Sequence, residues 1–196
     1  MTHKSLVIVV AGLRVLPSGL AAILSLAILI SIITFTWTGV SAPWLEQNRE
    51  RSLTGDLATD FATDGSFLAI MLRNLGAIAF LYSGAATLGV TTVIALSLVS
   101  LYLGATLALT TFAAGLDTVA QNVMIYAPFE FVGIIIAGAA GLYPAMSVLV
   151  DALSRRDQAL IRSYTTAVPG SLTLFLISAV LIVIGAGLEA TVIASR

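Results

Sequence analysis

Four residues in a strongly apolar chain have the types that chemistry needs: Arg73, Asn74, Glu130 and Glu189. Two carboxyls in different surroundings can divide the roles of acid and base. An arginine and an asparagine beside them can hold a developing oxyanion. Those types suffice for peptide-bond chemistry. They serve two other purposes equally well: neutralising one another to lock helices together, or forming a polar pocket for a peptide or a partner helix. Glu130 is the most telling of the four. It heads the Gly- and Ala-rich run Tyr126–Leu142, two residues after Pro128. A carboxylate in such a run is costly inside a bilayer and calls for a partner.

Composition states what surrounds these groups. Of 196 residues, 59% are hydrophobic and 10% charged, with mean hydropathy +1.06. Soluble domains carry roughly 25% charged residues, so most of this surface faces a lipid bilayer. A net charge of −1 argues against nucleic acid as a partner. There is no cysteine and one histidine, His3, read as a solvated tail residue. Thiol nucleophiles, disulfides, thiolate metal sites and a zinc site built on histidines are therefore excluded. We expect no metal and no cofactor.

The elements that position the four residues are membrane helices. Charge-poor stretches long enough to span fall at about 19–40, 66–88, 89–112, 123–150 and 170–194. The expected fold is all-α: a single membrane domain, a polytopic bundle of about five transmembrane helices. The apolar run Leu6–Leu13 is too short to span; it lies on the membrane surface or prefixes the first helix. Gly19–Val40 is too long for a signal-peptide core and is read as a permanent helix. Trp37 and Trp44 mark an interface after it. Segment 41–65 is the one long polar stretch. Its Asp56, Asp60 and Asp64 share a helical face, read as solvated because no EF-hand pattern is present. The second and third spans, parted by Thr87-Leu88-Gly89, form a tight hairpin. Residues 113–121 read as a short connection, and Asp151–Ala167 as a polar one. No internal repeat is visible, so the inverted repeats of many transporters are not evident.

Lys4, Arg14, Arg155, Arg156 and Arg162 fall on one side of this topology, and Arg49, Arg51 and Arg196 on the other. The bias places the N-terminus in the cytoplasm and the C-terminus outside. Arg73 and Glu130 then each lie seven residues from the outer edge of their span, and Glu189 lies seven residues before the outer terminus at Arg196. At about 1.5 Å per residue, that is about 10 Å deep. Small-residue stripes accompany them: Glu130, Gly133, Ala137 and Gly141; Ser171, Ser178, Gly185 and Glu189; Arg73, Ala77, Phe80 and Gly84; and Ser97, Ser100 and Gly104. Such stripes let membrane helices approach closely, so all four are read as bundle interior.

In order and spacing, these elements resemble the stage II sporulation protein M (SpoIIM) family of integral membrane proteins. The resemblance runs over about residues 10–195. It rests on Arg73-Asn74, Gly84 and Gly89, Gly104, Phe129-Glu130-Phe131 leading into Ile136–Leu142, and Leu188-Glu189-Ala190. Tyr126 and Ala127 stand where that family often has His-Gly, which removes a histidine base and leaves Tyr126 as a hydrogen-bond donor. An Asn-Gly pair typical of the third span is replaced near Ser100 and Leu101. The resemblance implies that Asn74, Glu130 and Glu189 are functional, with Arg73 as their counter-ion. It also implies roles either in anchoring peptidoglycan hydrolases or in bacteriocin maturation and export beside an ABC transporter. Our first reading is a non-enzymatic plasma-membrane subunit that organises or docks other membrane or envelope proteins, itself free to form a homo-oligomer. The second is an intramembrane peptidase or peptide-processing factor using Glu130 and Glu189. The third is a transporter component.

Overall fold

The computed structural model describes residues 3–41, 66–154 and 160–195. The acidic segment with Asp56, Asp60 and Asp64 lies outside the described residues. The elements are α1 (His3–Ser41), α2 (Phe67–Tyr82), a 3-10 turn (Ser83–Ala86), α3 (Val90–Ala114), α4 (Leu116–Val123), α5 (Ala127–Leu153) and α6 (Leu160–Ala194). All but α4 and the 3-10 turn contain a stretch long and apolar enough to cross a membrane, five among the described residues. Helices are the economical answer in hydrocarbon, because each satisfies its own backbone polar groups.

The boundaries settle one open alternative of the sequence reading and differ from it in three places. The short run Leu6–Leu13 is a prefix of the first helix, since α1 is continuous through Pro17. Residues 113–121 are not a plain connection. Gly115, at φ 82 and ψ 150, breaks the chain, and α4 follows. A side chain would be strained at that φ, so glycine suits the break. The fourth long helix begins at Ala127 instead of about Val123, with Pro128 in its first turn, where a missing N–H costs nothing. Finally, α6 begins at Leu160, so the stretch around Arg162 extends a helix and is not loop.

The long helix α5 is the axis of the bundle. It packs along α6 and also touches α1, α2 and α3. The hairpin of α2 and α3 straddles it: α2 leans on α6, and α3 leans on α1. The hairpin turn uses Leu88 (φ 53) and Gly89 (φ 87), both left-handed. Tyr82 of α2 stacks on Phe175 of α6, with ring centroids 4.5 Å apart. The core joins Leu29, Ile78, Leu81, Leu96, Ile134, Leu142 and Ile182.

Small residues set the helix spacing. Gly133 faces Ile182 and the Ser178 carbonyl; Gly104 faces Ile33 and Thr36; Gly84 and Gly141 both face Thr92; Gly185 faces Glu130. Ala137 is fully buried. Gly138, which the stripes did not single out, lies against Ser25 and Leu96. Hydroxyls bridge the helices at these close approaches. Ser25 donates to the Ile135 carbonyl at 3.1 Å, Ser171 to Ala140 at 2.6 Å and Ser178 to Gly133 at 2.7 Å. Ser178→Ala is expected to lower stability by about 0.6–2 kcal/mol, the usual range for an interhelical hydrogen bond in a membrane protein. Reversible unfolding in micelles measures it, with exposed Thr173→Ala as the unaffected control.

One stripe is corrected. In α2 the buried residues are Ile70, Ile78 and Leu81, while Phe80 is 45% exposed. The inward face therefore runs Ile70, Asn74, Ile78, Leu81, and not Arg73, Ala77, Phe80. The α2 sequence carries isoleucine and leucine on both faces, and lipid accepts them as readily as a core does. Its apolar periodicity therefore cannot fix the rotation of the helix.

Candidate functional site

Asn74 is the residue that the rotation of α2 turns inward. Its side-chain amide donates to Glu130 Oε1 at 2.7 Å. Glu130 stands in the first turn of α5, nearer the helix start than the depth count assumed. Its side chain lies over Gly185 of α6, where an added Cβ would come within 2.7 Å of Glu130 Cγ. Glu189, one turn further along α6, lines the same cavity as Glu130. Arg73 stands at the edge of the group, and its charge acts on both carboxyls. Arg73, Asn74, Glu130 and Glu189 thus meet where α2, α5 and α6 converge.

Two adjoining cavities share this cluster. The smaller, about 260 Å³, lies between α2 and α3. It is lined by Arg73, Asn74, Ala77, Leu98, Val99, Tyr102, Leu103, Glu130, Ile134 and Ile182. The larger, about 380 Å³, is roofed by α4 and includes Arg73, Asn74, Tyr126, Glu130, Phe131 and Glu189. Volumes of about 300–1,000 Å³ are usual for small-molecule sites. All five residues expected to form a binding or ion cluster, Tyr126 among them, line this second cavity.

Several lining residues were not anticipated: Tyr102, Thr106 and Thr110 of α3, and Thr118 and Asn122 of α4. Threonines in an apolar helix carry no distinctive signal. The amphipathic helix α4 did have one: Leu116, Val119, Ala120 and Val123 follow helical spacing. Asn122 is held by its own helix, its amide donating to the Thr118 carbonyl at 2.8 Å.

The cluster lies at one end of the bundle, with the α1 C-terminus, the α2 N-terminus, α4 and the α6 C-terminus. A model of the family described as SpoIIM, stage II sporulation protein M, matches residues 6–192 of the chain. The chain belongs to the stage II sporulation protein M family. No curated protein and no solved structure matches it. The SpoIIM match spans all five membrane helices, so the cluster lies within the region the family shares.

Chemically, the arrangement brings two carboxyls together beside one guanidinium and one amide. Two acids and one cation in a low-dielectric site leave the second acid to be met by a proton or by a further positive group. The arrangement can therefore hold helices together, and it can receive a polar group at the membrane edge.

Proposed function

We propose that this chain is a non-enzymatic membrane subunit, a five-span scaffold that docks partner membrane or envelope proteins at the face carrying the cluster. The observation that carries this reading is the Asn74–Glu130 hydrogen bond, which joins α2 to α5 where Glu130 packs on Gly185 of α6, beside two cavities. A tied, rigid end presents a fixed surface, which is what docking needs. The classes of partner that fit a SpoIIM-like scaffold are peptidoglycan hydrolases or an ABC transporter with its peptide cargo. Quantitative co-purification from native membranes tests this. Glu130→Gln should reduce recovery of the partner while the chain's own abundance holds. Unchanged recovery overturns the reading.

A second reading is favoured by one specific observation, the two carboxyls of Glu130 and Glu189 lining one cavity with Arg73. It is an intramembrane peptidase or peptide-processing factor in which Glu130 and Glu189 divide acid and base roles. It requires that Glu130→Gln abolish product formation from a peptide substrate.

For orientation we propose N-terminus in the cytoplasm and C-terminus outside, on the Lys and Arg asymmetry between the two sides. The cluster then opens toward the outer leaflet. A C-terminal reporter that functions only in the cytoplasm should be silent. Cytoplasmic activity would reverse the assignment.

A further inference from the structure

The cavity between α2 and α3 has a shape that docking does not explain. The two helices meet at the tight turn around Gly89 and then lean on different partners, α2 on α6 and α3 on α1. A cleft is left between them, floored by Ile134 and Ile182. Its α3 wall bears Leu98 and Tyr102, which are 54% and 49% exposed on the lipid-facing side. The cleft is apolar along its length and ends at Arg73, Asn74 and Glu130.

We infer that this cleft holds a phospholipid with a primary-amine headgroup, such as a phosphatidylethanolamine. One acyl chain lies between α2 and α3. The phosphate faces Arg73, and the ammonium faces Glu130.

Three observations carry it. The cleft faces sideways into hydrocarbon, so a lipid chain is the occupant at hand. The polar end lies in the second turn of α2 and the first turn of α5, within about 10 Å of the helix ends, where the Arg73 side chain can extend to a headgroup phosphate. And the site presents both signs side by side. A lone cation would meet the repulsion of Arg73 and a lone anion that of Glu130, whereas a zwitterion matches each with its opposite. A primary ammonium has three N–H donors for the carboxyl oxygens. A choline headgroup has none, and a glycerol headgroup has no positive charge.

The inference is independent of the docking proposal, because the measurement involves no partner. The detergent-purified full chain is offered phosphatidylethanolamine, phosphatidylcholine or phosphatidylglycerol, and retained lipid is counted by native mass spectrometry. The wild type should retain phosphatidylethanolamine about tenfold better than either other lipid, the worth of one hydrogen bond to a charged group. Glu130→Gln, which keeps the volume and an oxygen for Asn74, should erase the preference over phosphatidylcholine. Leu98→Trp, which plugs the mouth of the cleft and leaves the ionisable groups in place, should abolish retention. Equal retention of the three lipids by the wild type, or full retention by Leu98→Trp, overturns the inference.

Discussion

Gly141→Ala is expected to destabilise the bundle by about 3 kcal/mol or more, with loss of the chain from the membrane at physiological temperature. An added Cβ at this position would collide with the Leu81 carbonyl and with the Thr92 hydroxyl. Those two groups are hydrogen-bonded to each other at 2.7 Å, fully inside the protein. The substitution therefore adds two costs. Overpacking a tight contact costs about 1–3 kcal/mol. Separating a buried donor from its acceptor costs about 1–3 kcal/mol more. Neither group can yield easily. The carbonyl is backbone at the end of α2, and Thr92 sits in the first turn of α3, both held by the hairpin turn. Gly76→Ala is the matched control. Gly76 lies within α2 with nothing near its missing Cβ, and removing a helix glycine is neutral or stabilising by up to about 1 kcal/mol. Equilibrium unfolding in micelles, together with abundance in membranes, distinguishes the two. Similar stabilities for the two variants would contradict the helix spacing described.

Glu130 separates packing from function. Glu130→Ala should cost about 2 kcal/mol, because the Asn74 amide loses its acceptor and space opens over Gly185. Glu130→Gln keeps an oxygen for Asn74 and nearly the same volume, so its fold should stay within about 1 kcal/mol of wild type. It removes the ionisable group that faces Arg73 and Glu189. If the cluster acts by docking, Glu130→Gln should lose about tenfold in partner affinity, the effect of one interfacial charge contact. Unfolding and partner titration on the same preparations give both numbers. A Glu130→Gln protein as unstable as Glu130→Ala would mean that charge, and not hydrogen bonding, ties α2 to α5.

How much of this could be read in the sequence follows from what lipid does to a sequence signal. The five helices were legible because charge is excluded from hydrocarbon, so Arg49–Asp64 and Arg155–Asp157 stand out as breaks. The meeting of α2, α5 and α6 was approachable by counting residues from those breaks, although the count set Glu130 too deep by taking Val123–Tyr126 into its helix. The rotation of α2 was not legible. With isoleucine and leucine on every side, the buried face passes through Asn74 and not Arg73, and only the neighbouring helices decide that. The hydroxyls lining the larger cavity were invisible for the same reason: Thr106 and Thr110 look like any threonine bonded to its own helix. The amphipathic pattern of α4 was present and short. Its register became meaningful only once Gly115 was seen to turn the chain. Ser25 meeting Ile135 illustrates the remainder, a contact between residues far apart in sequence that no local pattern announces.

The central claim, that the face bearing Asn74, Glu130 and Glu189 docks partners without turning over a substrate, is tested most directly by one comparison. Wild-type and Glu130→Gln chains are purified at equal abundance from native membranes, and both the co-purifying membrane proteins and any processed peptide are quantified. The account predicts that the partner is recovered with the wild type, falls about tenfold with Glu130→Gln, and is chemically unaltered in both. Partner recovery that is unchanged, with a cleaved or joined peptide product that disappears in Glu130→Gln, would contradict it and assign the carboxyl pair to catalysis.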